Sequence, residues 1–180
     1  MKQLCSGILK TSGALAAMFF LGPVSMGKGM ALAQMGSGEK LKLAFFGFEL
    51  INTSLQPTSD SEKQRLVMVG NTLRQMLADS GHYEVLPLTN ALKTKIERSG
   101  TITGCNGCQI EWAREAGADF AVWGTVQKVS NLILNENVYI DDVRSGSRYF
   151  SQSVDIRGNT DESWVRGMRY LLRYYLLEKH

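Results

Sequence analysis

Leu41 to Phe48 is a nearly continuous apolar run, broken only by Lys42 and Gly47. A strand with one wet face alternates apolar and polar side chains, so a run of this kind belongs to a strand buried on both faces. Ile51 to Ser59 is polar, carries Pro57 and reads as a loop. Ser59-Asp60-Ser61-Glu62 has the spacing of a capping box, and predicts a helix to about Ser80. Leu66, Val69, Leu73, Met76 and Leu77 share one face of that helix, and Gly81 is its left-handed cap. Tyr83 to Leu88 reads as a short strand. Thr89 caps a brief helix that stops near Ser99-Gly100, and Gln109 to Ala116 forms a third helix ended by Gly117. Ala118 to Val129, Leu132 to Val143 and Arg148 to Ile156 read as strands, the last two joined by a turn at Ser145-Gly146. Asp161 to Glu178 is a long closing helix, with Thr160 as N-cap and Asp161 and Glu162 at the positive end of its dipole. The expected fold is one α/β domain, a mixed sheet of about five strands with about four helices in the order β-α-β-α-α-β-β-β-α.

Residues 1–33 read as a secretory signal peptide. Lys2 and Lys10 precede an apolar run from about Ala14 to Val24, and Ala31-Leu32-Ala33 fits the small-x-small cleavage rule. The run is short of the roughly 20 residues that span a bilayer. The expected organisation is a signal at 1–33, a flexible lead-in at 34–40 and the α/β domain at 41–180, with cleavage after Ala33 and a soluble periplasmic product. A cut after Gly27 is the alternative. Cys5 precedes the apolar run, whereas a lipidated cysteine would follow it, so no stable membrane anchor is expected after cleavage. The chain carries 20 Lys and Arg against 17 Asp and Glu. Lys2, Lys10 and Lys28 belong to the leader, which holds no acid, so the remainder has 17 of each. That balance gives no argument for nucleic acid. Gly22 to Gly29 resembles a phosphate-binding loop, but Gly29 stands where a hydroxyl is needed for Mg²⁺.

Four segments carry a family resemblance. Leu43-Ala-Phe-Phe-Gly-Phe-Glu49 and Gly117-Ala-Asp-Phe-Ala-Val-Trp-Gly-Thr-Val126 are similar to the TolB N-terminal domain and to the periplasmic domain of curli-secretion lipoproteins. Gln127-Lys-Val-Ser-Asn-Leu-Ile-Leu-Asn135 and Asp155-Ile-Arg-Gly-Asn-Thr-Asp-Glu-Ser-Trp164 resemble a family of uncharacterised secreted bacterial proteins. The resemblance implies a TolB N-terminal-like fold. It also implies an envelope setting, with periplasmic PQQ-dependent alcohol oxidation as one associated pathway.

Cys105-Asn-Gly-Cys108 is the one constellation with obvious chemistry. In an oxidising compartment two cysteines this close read first as a structural disulfide. A redox pair at a helix N-terminus is the sharper alternative, although no strand leads directly into it. A metal site would need about two more N or S ligands; only His82 and His180 exist, and neither is placed near by sequence. His82 follows a helix cap and no G-x-S-x-G elbow is present, so hydrolytic catalysis has little support. Asp141-Asp142 reads as a solvated pair at a strand end, and Asp161-Glu162 as helix capping.

The remaining candidate is a patch drawn from the two family motifs: Lys128, Ser130, Asn131, Asn159, Thr160, Asp161 and Trp164. These residues either satisfy turns, cap a helix and fill core, or form a recognition surface in which an aromatic and amides meet a partner. Tyr170, Arg173 and Tyr174 on the closing helix extend such a patch or cover the sheet. The expected function is that of a non-enzymatic periplasmic binding or adaptor protein. Its partner is expected to be another periplasmic or envelope protein; no cofactor and no catalytic residue are expected. The alternatives are a small thiol–disulfide oxidoreductase using Cys105 and Cys108, and capture of a small molecule or metal.

Overall fold

The computed structural model describes residues 39–178. The expected signal peptide and cleavage site, most of the expected lead-in and the last two residues lie outside the described residues. The chain runs β1 (Leu41–Asn52), α1 (Asp60–Asp79), β2 (Tyr83–Val85), α2 (Asn90–Arg98), α3 (Cys108–Glu115), β3 (Phe120–Lys128), β4 (Ile133–Asp142), β5 (Arg148–Arg157) and α4 (Asp161–Leu171). A π-helical segment, Leu172–Leu177, continues α4. The five strands form one sheet in the order β2-β1-β3-β4-β5. β1 is parallel to both of its neighbours, and β3, β4 and β5 form an antiparallel meander. The mixed α/β fold and its element order are those read from the sequence.

The apolar run does what its composition requires. Leu43 and Phe45 enter the larger core with Val69, Leu73 and Leu77 of α1 and Trp164, Met168 and Leu171 of α4. Ala44 joins Ala113, Ala121 and Val143 on the opposite face, under α3. Leu92, Ile102, Trp112 and Trp123 complete that second layer. β3, covered on both sides, is buried at eight of its nine residues.

Three boundaries differ from the sequence reading. β1 runs four residues past Phe48, to Asn52, because its pairing with β3 resumes after a bulge between Phe45 and Phe48 and continues to Lys128. Gly47 occupies the bulge at φ +98°, a conformation costly to any residue with a Cβ. The extra residue reverses the alternation. Phe48 and Leu50 therefore lie on the same side as Phe45, and Glu49 points to the other. β2 stops at Val85, since Pro87 has no N–H to continue a ladder. The closing helix is α-helical only to Leu171. Beyond it the bonds lengthen to the i+5 spacing, with the Glu178 N–H donating to the Arg173 carbonyl at 3.0 Å.

Candidate functional site

Three connections meet at one end of the sheet: the loop after β1, the β3–β4 turn, and the β5–α4 turn. Each is held by its own polar residues. Ser59 caps α1, its Oγ accepting from the Glu62 N–H at 3.2 Å while Glu62 Oε2 accepts from the Ser59 N–H at 2.7 Å. Ser130 Oγ accepts from the Leu132 and Ile133 N–H groups, both at 3.2 Å, closing the β3–β4 turn. Thr160 Oγ1 accepts from the Ser163 N–H at 3.2 Å and caps α4.

Side chains from the three connections then bond to one another. Lys128, 2% exposed at the end of β3, lies 2.6 Å from Glu62 Oε1, on a side chain 1% exposed. Asn159 donates from Nδ2 to the same Glu62 oxygen at 2.6 Å and to Asn131 Oδ1 at 3.2 Å. Its own Oδ1 accepts from Arg65 at 3.1 Å and from the Trp164 indole N–H at 3.0 Å. Arg65 also pairs with Asp161 at 2.7 Å, and Asn131 donates to Gln56 Oε1 at 2.7 Å. The network lines a shallow cleft of about 470 Å³, whose rim includes Pro57, Leu132 and Gly158.

Of the residues singled out by sequence, Lys128, Asn131, Asn159, Asp161 and Trp164 share this network, and Ser130 and Thr160 fix the turns that present it. Trp164 is fully buried, with its ring in the larger core and its N–H in the network. Lys128 is enclosed rather than displayed. Glu62, Arg65 and Gln56 were not assigned to the site by sequence. Glu62 was legible as a capping-box residue, but the second use of its carboxylate has no local signal. Burial pushes the Glu62 carboxyl up; the Lys128 hydrogen bond, the Ser59 N–H, the Asn159 amide and the Lys128 charge together outweigh it and hold it at about 2. With both oxygens engaged and a charge kept at any ordinary pH, Glu62 is an anchoring anion rather than a proton carrier.

Four apolar side chains stand exposed around this rigid floor. Leu55 is fully exposed on the loop after β1; Val129, Leu132 and Ile133 are more than half exposed on the β3–β4 turn. The two loops are joined by the Asn131–Gln56 bond and by Thr53, whose N–H donates to the Lys128 carbonyl at 2.9 Å.

Cys105 and Cys108 are disulfide-bonded, with their Cα atoms 5.6 Å apart. Both are half-buried against Leu92, Ile102, Trp112 and Trp123. The loop leading to them is held by Glu49, which accepts from the Ile102 N–H and, at 3.2 and 2.8 Å, from the Thr103 N–H and hydroxyl. Asp141 is not the solvated carboxylate expected from its strand-end position. It is buried, accepting from the Trp123 indole at 2.9 Å and the Gln109 amide at 3.1 Å, and paired with Arg148. Asp142 is half-buried and accepts from the Ser145 N–H and hydroxyl of the next turn. Asp161 lies in the first turn of α4, after the Thr160 cap, and pairs with Arg65. Among the described residues, no three His, Cys, Asp or Glu side chains converge as a metal site. No described helix is long and apolar enough to cross a membrane.

The chain belongs to the family described as protein of unknown function (DUF2380), which matches residues 41–176. No curated protein matches it in sequence. Among solved structures it is similar to the LpoB C-terminal domain from Salmonella enterica, at 15% identity over 67% of this chain and 86% of that one, TM-score 0.49. It is also similar to the lipoprotein GNA1162 from Neisseria meningitidis, at 13% identity over 75% and 98%, TM-score 0.48. TolB from Acinetobacter baumannii follows at 13% identity over 76% and 29%, TM-score 0.42.

Proposed function

Starting from membership of that family, we propose that this domain is a non-catalytic binding module of the bacterial cell envelope. One observation carries the reading: Leu55, Val129, Leu132 and Ile133 stand exposed on loops tied together by the Asn131–Gln56 and Thr53–Lys128 bonds. Exposed apolar groups normally cost solubility when clustered, and a rigid base spares a partner the entropy of ordering them. The family motifs supply the floor and the apolar side chains supply the anchors, as in interfaces whose energy is concentrated in a few central residues. The partner is another envelope protein. The leader at 1–33, cut after Ala33, delivers the domain to the periplasm, where it serves a transport, assembly or PQQ-dependent alcohol-oxidation system.

The test is a photo-crosslinker at position 133 in living cells, compared in the parent and in the Leu55→Asp/Leu132→Asp variant. Exposed substitutions of this kind change stability by no more than about 0.5 kcal/mol, so the variant stays folded while its cross-linked product disappears. The same product at the same yield from the folded double variant overturns the proposal.

A second reading rests on the Cys105–Cys108 bond at the start of α3, where a helix N-terminus favours thiolate. A thiol–disulfide oxidoreductase would exchange this bond rapidly with glutathione and lose activity on Cys105→Ser while remaining folded. A bond that resists mild reductant excludes it.

A further inference from the structure

We propose that the outer edge of β5, with the arginine–tyrosine flank of α4 beside it, takes an extended acidic segment of a partner protein by strand addition. β5 is the last strand of the sheet, and among the described residues nothing pairs with its outer side. It is ten residues long, contains no proline and no lysine, devices that commonly blunt an exposed edge, and its one bulge, between Arg148 and Phe150, leaves Phe150 to Arg157 regular. Phe150 and Val154 point toward the α4 side and are only half-buried, although they belong to the larger core. A strand laid against β5 would cover them and satisfy the open backbone groups.

Charge selects the occupant. Arg166 of α4 stands beside the edge with Arg157, which ends β5 itself, and Arg169 and Arg173 line the adjoining depression on the closing helix. Two adjoining depressions of about 400 and 410 Å³ share Arg166 and Tyr170. Tyr170 lies 4.8 Å from Tyr174, centroid to centroid, and both are about half exposed. The acids nearby are committed: Glu162 is 3.4 Å from Arg166, and Asp155 accepts from Asn135 on the other face of the sheet at 2.8 Å. A second copy of the chain would bring its own arginines to the same groove, where like charges oppose. Carboxylates at the alternate positions of an added strand that face α4 would meet the guanidiniums beside Val154, while the intervening side chains lie on the opposite face of the sheet.

The full chain is titrated by fluorescence anisotropy with three labelled peptides of the length of β5: alternating Glu-Val, alternating Lys-Val, and Glu-Val methylated on alternate backbone nitrogens. The Glu-Val peptide binds at least roughly tenfold more tightly than Lys-Val, and its binding weakens as salt is raised. Backbone methylation abolishes it, and Arg157→Glu/Arg166→Glu, with unchanged circular dichroism, weakens it by a similar factor. The Leu55→Asp/Leu132→Asp variant binds the peptide as the parent does, which separates this surface from the turn surface above. Equal binding of the two charged peptides, no binding at all, or full binding of the methylated one overturns the proposal. Sedimentation showing a dimer whose β5 amides are protected from exchange overturns it in favour of a second copy.

Discussion

Glu136 is the residue whose environment departs furthest from its chemistry. It sits in the middle of β4, fully buried, and neither carboxylate oxygen has a hydrogen-bond partner among the described residues. Burial pushes its carboxyl well above the ordinary value of 4.5. An acid held protonated in the fold and free to ionise when unfolded makes the native state bind more protons. Stability from this residue is therefore full below pH 4.5 and falls as pH rises above it. Glu62 works in the opposite sense: its pKa of about 2 contributes stability above pH 4.5 that is lost as pH falls toward 2. Replacing Glu136 by Met, of similar length and without the unpartnered oxygens, is expected to stabilise the domain by about 1–3 kcal/mol at neutral pH. Urea titrations at pH 5 and pH 7 will show the gain over the parent growing with pH. Lys128→Met is expected to cost about 3–5 kcal/mol, because it strands a buried carboxylate. Adding Glu62→Gln to it will restore much of the loss in the same assay.

At the scale of the element, α4 lies on the sheet at Gly167. A Cβ there would stand 2.7 Å from Glu136 Oε2, and closer still to Ile156 Cγ2. Alanine is the better helix former by about 1 kcal/mol, yet an inserted methyl in a filled core costs about 1–3 kcal/mol. The overpacking wins, so Gly167→Ala is expected to lower the denaturation midpoint. A rise in the midpoint would mean that helix and sheet can separate freely. The same close approach explains why the amphipathic pattern of 161–178 was readable while its details were not. Of the apolar residues that the sequence places on this helix, Trp164, Met168, Leu171, Leu172 and Leu176 reach the core, whereas Val165 and Tyr175 are only partly buried. The change to π-helical bonds after Leu171 has no counterpart in that pattern, because i+4 and i+5 turns serve nearly the same apolar stripe.

For the whole molecule, two layers cover one sheet and are braced differently. The α1–α4 layer holds the larger core, whereas the α2–α3 layer relies on the Cys105–Cys108 bond and on Glu49 to order the loop between its helices. A ring of four residues removes little chain entropy, so Cys105→Ser/Cys108→Ser is expected to cost about 1–3 kcal/mol. Thermal unfolding will read that as a modest drop in Tm with the fold retained. Loss of the native circular dichroism spectrum would instead show that the second layer cannot form without the bond.

Local pattern alone determined the strands, the helices, their order and all three helix caps at Ser59, Thr89 and Thr160, since caps and periodicity are settled within a few residues. It also marked the two motif turns. Only the tertiary structure decided that these turns meet, that Lys128 pairs with a carboxylate 66 positions away in sequence at 2.6 Å, and that Asp141 is buried while Asp142 is not. It likewise decided the bulge at Gly47, which turns Glu49 toward the disulfide loop. A buried ion pair or a carboxylate beneath a glycine depends on which elements are stacked, and stacking is set by the whole core at once rather than by any stretch of neighbours.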